Sequence, residues 1–290
     1  MFGDPRIRRG GRRGWRLPPG GYNPVVAADG RRWRDYELAA EADVLDPGPA
    51  PGHEAVTGPV HGSVTGSAAG ARDRSPARGP DWFDRATRPP PLAEARPYGV
   101  PGGLARPDPP AQQDLRRSVP SEESGRPHRF PDPRGTWIRL INGDGPVDDP
   151  FRTTNAVDCA LSTVSTWYGE PAVAAPRQPE YDPAGRPVLT GETRGVARAE
   201  TWLGHRFEYV GQGRRAYGNI AQRLRTGGHG AAAVLITRWT SGGAHAWNAV
   251  NFHGEVIWID AQRGHMAVEP PYANVTGVFC VTIDREGRRR

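Results

Sequence analysis

Two cysteines are the candidate nucleophiles in this sequence of 290 residues, Cys159 and Cys280. Cys159 lies in the segment TTNAVDCALSTVSTWYG, which predicts a helix over residues 157–168. A cysteine in the first turn of a helix meets free backbone N–H groups and the positive end of the dipole, which favour the thiolate. We therefore interpret Cys159 as a nucleophile for acyl transfer, the alternative being a small buried core residue. Cys280 alternates with apolar residues in GVFCVTI and is interpreted as a core residue.

A histidine and an aspartate on neighbouring predicted strands complete a possible triad. His245 lies in GGAHAWNAV, and Asp260 ends the apolar run EVIWID. A tight turn at 253–254 would place Asp260 opposite Ala246 or Trp247, within diagonal reach of His245. The three residues would then act as nucleophile, base and orienter. The alternative is a strand-edge histidine and a solvated aspartate, but an unpaired charge after VIWI would be costly.

Acyl transfer also needs hydrogen-bond donors for the developing oxyanion. Asn155 precedes Cys159 by four residues, and Gln262 follows Asp260 by two. We predict both as oxyanion or substrate ligands, together with the backbone N–H of Cys159. Asn155 could equally be a helix N-cap, and Gln262 could simply close a turn.

The sequence indicates no cofactor and no metal site. Two cysteines exclude a CxxC-type zinc site, and four further histidines lack paired metal-ligand spacing: His205, His229, His253 and His265. We interpret these histidines as surface or turn residues.

The elements that must position the candidate triad lie after Pro133. The segment 136–142 predicts a strand. Three helices are predicted in TTNAVDCALSTVSTWYG, GVARAETWLG and AYGNIAQRLRTGG, with a short strand RFEYV between the second and the third. Four strands are predicted after them, in AAAVLITRW, AHAWNAVNF, EVIWIDA and VTGVFCVTI. Helices followed by an antiparallel meander predict an α+β domain over residues 135–290.

Residues 1–134 have a different composition. Twenty-four of the 31 prolines lie in residues 1–150, and few large apolar residues accompany them. We expect residues 1–134 to be a disordered region rich in Pro, Gly and Arg, with short helices near 33–44 and 81–88.

Charge and hydropathy bear on partners and location. The net charge is +6, and an Arg-rich cluster over residues 6–16 is interpreted as a solvated tail, with nucleic-acid binding as the alternative. No apolar run is long enough for a membrane span, and no Sec-type signal peptide is recognised.

The candidate residues resemble the papain-fold toxin family with glutamine deamidase activity, found at the C-terminal ends of bacterial polymorphic toxins. The resemblance rests on RTTNAVDCA, YGNIAQRLRTGG and GGAHAWNAVNFHGEVIWIDAQRG, and it covers about residues 136–285. It implies a papain-like fold in which a helix carries Cys159 and an antiparallel sheet carries His245 and Asp260. Gln262 follows the aspartate as it does in the family.

The resemblance also implies an activity, partners and a location. Cys159 would attack a glutamine side-chain amide of a target protein, release ammonia and leave a thioester for water to hydrolyse. Membership of this toxin family would imply delivery from the cytoplasm of the producer into another cell by a specialised system. It would also imply a cognate immunity protein in the producer. A papain-like protease, a transglutaminase and an inactive binding module remain the alternatives.

Overall fold

The computed structural model describes residues 80–143, 149–240 and 242–290. Within these ranges the helices are α1 (Pro109–Ser118), α2 (Trp137–Leu140), α3 (Ala156–Trp167), α4 (Gly195–Leu203) and α5 (Gly213–Gly227). The strands are β1 (Glu208–Gly211), β2 (Ala232–Arg238), β3 (Ala244–Phe252), β4 (Glu255–Asp260), β5 (His265–Ala267) and β6 (Gly277–Ile283). Three short 3₁₀ turns lie at Trp82–Asp84, Leu92–Glu94 and Pro150–Thr153.

The strands form one antiparallel sheet in the order β1-β6-β2-β3-β4-β5. Helices with an antiparallel sheet confirm the predicted α+β class, and all three predicted helices after residue 150 are present. The predicted meander is wrong at its last strand, because β6 returns to pair with β2 instead of following β4. The short strand β5, which pairs with β4, was not predicted.

Side chains of the central strands alternate between two cores, as the two-residue period of a strand requires. One face shares a core with α3 through Val234, Ile236, Ala246, Val250, Ile257, Ile259 and Val281. The other face shares a core with α5 through Ala233, Leu235, Trp247, Ala249, Trp258 and Cys280. Cys280 is a buried core residue, as the sequence predicts.

Within the segment 136–142, where the sequence predicts a strand, residues Trp137–Leu140 form a helical turn instead. Trp137, Ile138 and Ile141 are all fully buried, so three of its apolar residues must face the same core. A strand would send Trp137 and Ile138 to opposite faces. The single turn of α2 instead points them, together with Ile141, into the core beside α3.

Residues 80–134 differ from the sequence prediction of a disordered region. They contribute buried side chains to the core that contains α3: Trp82, Phe83, Leu92, Leu115, Val119 and Phe130. Helix α1 begins at Pro109, where proline is tolerated because the first turn needs no N–H donor. The helix expected at 81–88 is a 3₁₀ turn at Trp82–Asp84, and the one expected at 33–44 lies outside the described residues. A domain boundary at 134/135 stays a prediction.

We expect Leu115→Ala to lower the free energy of unfolding by about 2–3 kcal/mol, because it leaves a cavity in the core that contains α3. Chemical denaturation of the full chain measures this loss. The matched control is Arg116→Ala, an exposed position on the same helix, which should change stability by less than about 0.5 kcal/mol. Equal stability of both variants would show that α1 is not part of the cooperative fold.

Candidate active site

The N-terminal end of α3 carries Cys159. The helix begins at Ala156, so Cys159 ends its first turn, as the sequence predicts. The backbone N–H of Cys159 donates to the Asn155 carbonyl at 3.0 Å. This N–H is therefore engaged within the helix, contrary to the prediction that it is free to bind an oxyanion.

The thiol of Cys159 meets both predicted polar partners. It donates to Asn155 Oδ1 at 3.4 Å, and the same oxygen accepts from Gln262 Nε2 at 3.1 Å. All three side chains are buried. Asn155 is the N-cap residue of α3, as one of the two sequence interpretations expects, but its side chain makes no capping hydrogen bond. The structure thus brings three of the sequence-predicted residues into one hydrogen-bonded group.

The amides of this group are already satisfied by protein partners. Asn155 Nδ2 donates to Asn142 Oδ1 at 2.8 Å and to the Ala175 carbonyl at 3.0 Å. Gln262 Nε2 also donates to the Arg152 carbonyl at 3.4 Å. Either side chain can donate to an oxyanion only if one of these hydrogen bonds is exchanged for it.

Strands β3 and β4 bring His245 and Asp260 together. Their register pairs Phe252 with Glu255 and Asn248 with Ile259, as the predicted turn requires. His245 Nε2 lies 2.9 Å from Asp260 Oδ2, and both side chains are buried. An Nε2–H that donates to the carboxylate leaves Nδ1 as the proton-accepting nitrogen.

Two further residues contact the Asp260 carboxylate. The Tyr272 hydroxyl donates to Oδ2, and Arg263 Nη1 lies 3.5 Å from the same oxygen. Burial by itself raises the pKa of Asp260, but the charges of His245 and Arg263, with the hydrogen bonds from His245 and Tyr272, hold it well below its ordinary value. Asp260 is therefore ionised throughout the neutral range.

The Cys159 sulfur and the His245 imidazole lie on opposite sides of β3. Cys159 shares a core with Ala246, whereas His245, one residue earlier, lies edge-on to Tyr272 on the other face. Asn248 Nδ2 donates to the Ala160 carbonyl at 3.1 Å and so joins α3 to β3 on the Cys159 side. Cys159 precedes Ala160 by one residue on α3, and His245 precedes Asn248 by three residues on β3.

Comparison with known protein families gave a match over part of the chain. Residues 154–265 match the family model described as "Papain fold toxin 1, glutamine deamidase". This match confirms the resemblance seen in the sequence for those residues, which include all five predicted site residues. Neither the curated proteins nor the solved structures gave a match to the chain.

In the segment that matches this family model, the pKa of the Cys159 thiol differs from the sequence expectation. Burial raises the pKa well above its ordinary value, and the charges of Asp158 and Asp260 raise it further. Arg152 and Arg96 oppose this effect only in part. The resting residue is therefore a neutral thiol, consistent with its donation to Asn155. A thiolate at Cys159 requires a base that takes the proton.

A buried ionic cluster beside Cys159 was not predicted from the sequence. Asp158, fully buried, pairs with Arg96 at 2.8 Å and with Arg198 at 2.9 Å. Arg198 also pairs with Glu192. The available signal was an acid in an otherwise apolar helix, where a charge needs a partner. Its partners lie 62 and 40 residues away, beyond what local pattern indicates.

His265 is paired with Asp260 in the register of β4 and β5, whereas His229 and His253 lie at turns away from this group. The rings of His229 and His253 stack at 3.9 Å, and His265 is exposed at β5. No cluster of three or more His, Cys, Asp or Glu side chains in the described ranges could hold a metal ion. A surface cavity of about 510 Å³ is lined by residues such as Arg96, Arg194 and Arg198 and contains none of the five predicted site residues.

Proposed function

We propose that this chain is a toxin-type protein glutamine deamidase, with Cys159 as nucleophile, His245 as general base and Asp260 as the residue that orients His245. The observation that carries the proposal is the buried His245–Asp260 pair at 2.9 Å, inside a segment that matches a glutamine deamidase family. Burial of the ionised Asp260 beside His245 at the start of β3 has a desolvation cost, which a catalytic role would explain.

Two contacts support a single site made from both faces of the sheet. Gln262, which bonds Asn155 beneath the Cys159 thiol, follows Asp260 by two residues. The charge of Asp260 is near enough to raise the pKa of Cys159. The imidazole of His245 would reach the sulfur around the end of β3, where the strand begins at Ala244.

The proposed reaction keeps its atoms in balance. His245 Nδ1 takes the thiol proton, and Cys159 Sγ forms a bond to the carbon of the glutamine carboxamide. The carbon–nitrogen bond then breaks, and the nitrogen leaves as ammonia with the proton returned by His245. Water, activated by the same imidazole, cleaves the thioester and leaves a glutamate.

The site is closed in this conformation. The Cys159 side chain is 1 % exposed, and His245 is 3 % exposed. A glutamine from another protein therefore contacts the sulfur only after covering side chains move. Binding of a target surface would supply the free energy for that movement.

Proteolysis and transglutamination share the thioester step and remain the second candidates. They differ in the group that leaves or attacks, so the products separate them. Incubation of a target with the full chain gives glutamate in place of glutamine for deamidation, fragments for proteolysis and cross-links for transglutamination. A catalytically inactive binding module would give none of these.

The family match also supports a toxin acting on a target protein in another cell, with an immunity protein protecting the producer. Among the described residues, no helix has the length and apolar character needed to cross a bilayer. The Arg-rich cluster at 6–16, with its alternative role in nucleic-acid binding, lies outside the described residues. Co-expression of candidate neighbouring genes, scored by rescue of growth, tests the immunity partner.

Asp260→Asn should lower kcat by about 10²-fold or more, because an amide no longer enforces the Nε2–H tautomer of His245. Ammonia release from a glutamine-containing peptide measures this loss. Thermal unfolding of the variant checks that the fold is retained. An unchanged rate in a folded variant would assign Asp260 a structural role only.

A further inference from the structure

Tyr272 contacts the Asp260–His245 pair from outside the residues that match the family, which end at 265. Its hydroxyl donates to Asp260 Oδ2, the same oxygen that lies 2.9 Å from His245 Nε2. Two donors therefore converge on one carboxylate oxygen and restrict its rotation.

Arg263 fixes the direction of the Tyr272 hydroxyl. Arg263 Nη1 donates to the Tyr272 oxygen, and its guanidinium carbon lies 5.4 Å from the centre of the Tyr272 ring. Because a guanidinium has donors only, the tyrosine oxygen must accept from Arg263. Its own proton is then available for Asp260.

The ring of Tyr272 is held by aromatic neighbours. It packs edge-on against Trp239 and Trp247, each at 5.1 Å between ring centres, and against His245 at 5.7 Å. Tyr272 is only 5 % exposed, so its hydroxyl bonds to Asp260 in a site sheltered from water. Hydrogen bonds to a charge are stronger in such surroundings.

We propose that Tyr272 is a positioning residue for the catalytic pair, an inference that rests on the proposed function. Its hydroxyl holds the Asp260 carboxylate so that Oδ2 faces Nε2 of His245. Nε2 then keeps its proton, which makes Nδ1 the nitrogen that would accept the proton of Cys159. No covalent bond changes at Tyr272.

The test compares Tyr272→Phe with Tyr217→Phe in the full chain. Tyr217 is a matched control because it is also buried against Trp247, at 5.6 Å, while its hydroxyl has no hydrogen-bond partner among the described residues. Long-range ¹H–¹⁵N NMR reports the tautomer of His245, with the signal assigned through His245→Gln. Ammonia release from benzyloxycarbonyl-glutaminyl-glycine reports kcat and KM.

We expect wild type and Tyr217→Phe to show a single Nε2–H tautomer, and Tyr272→Phe to show mixed tautomers. For Tyr272→Phe, kcat should fall about tenfold while KM changes by less than about twofold. A wild-type tautomer in Tyr272→Phe, or equal losses in both variants, would overturn the proposal. If wild type releases no ammonia, the proposed function fails on this peptide, whereas the NMR comparison still decides the role of Tyr272.

Discussion

Cys159→Ala should abolish ammonia release, with a loss of at least about 10⁴-fold, because no other side chain in the site can form the thioester. The fold should persist, since alanine fits the buried position and removes only one weak hydrogen bond, to Asn155. Steady-state kinetics on a glutamine-containing peptide, with circular dichroism on the same sample, measure both quantities.

The matched control is Cys280→Ala, which changes the other buried cysteine on the opposite face of the sheet. Its rate should stay within about threefold of wild type, because the Cys280 thiol lies within hydrogen-bond distance of Thr282, which is outside the proposed site. Retained activity in Cys159→Ala would remove the proposed mechanism. Equal losses in both variants would point to a packing effect.

Asp158→Asn should lower the free energy of unfolding by about 3–5 kcal/mol at neutral pH, because it leaves two buried guanidinium groups without their shared carboxylate. Asp158 also accepts from the Ala175 N–H at 2.7 Å, which an amide nitrogen could not replace. Urea denaturation measures the loss. The control Asp114→Asn breaks an exposed pair with Arg117 and should cost less than about 1 kcal/mol.

The difference in free energy of unfolding between wild type and Asp158→Asn should decrease as the pH is lowered. Burial raises the pKa of Asp158, but the charges of Arg96 and Arg198 outweigh it and hold the pKa below its ordinary value. A lowered folded-state pKa gives stability that is complete above the unfolded value of about 3.9 and is lost as pH falls through the folded value. The difference in free energy of unfolding between wild type and Asp158→Asn should therefore become smaller below about pH 4. A gap that widens on acidification would contradict the ionised cluster.

Much of the site could be predicted because its signals are local. The turn at 253–254 fixes the register of β3 and β4, and this register alone places Asp260 beside His245. The helix periodicity after Asn155 likewise places Cys159 in the first turn of α3. These relations depend on spacing within short segments, which a sequence shows directly.

The features that were missed depend on long-range packing. Tyr272 reaches Asp260 because the chain turns back between β5 and β6. No local sequence pattern indicates that its hydroxyl would donate a hydrogen bond to a buried carboxylate. Arg96 reaches Asp158 from a proline-rich segment that composition alone indicates to be disordered. Its prolines permit α1 because two of them occupy the first helical turn.

The thiol pKa shows a second limit of local reasoning. The position of Cys159 at a helix start predicts a lowered pKa, but burial and two nearby carboxylates raise it. The helix dipole acts within one turn, whereas desolvation depends on every element packed around the sulfur. Activation of Cys159 therefore depends on proton transfer to His245 in the proposed reaction.

The most direct measurement is quantitative mass spectrometry of the proteins of a naive bacterium that expresses the full chain or its Cys159→Ala variant. The proposed deamidase should convert one or a few specific glutamines to glutamate, only in cells that express the intact thiol. Identical glutamine peptides in the two cultures, or new cleavage sites or cross-links in place of glutamate, would contradict the account.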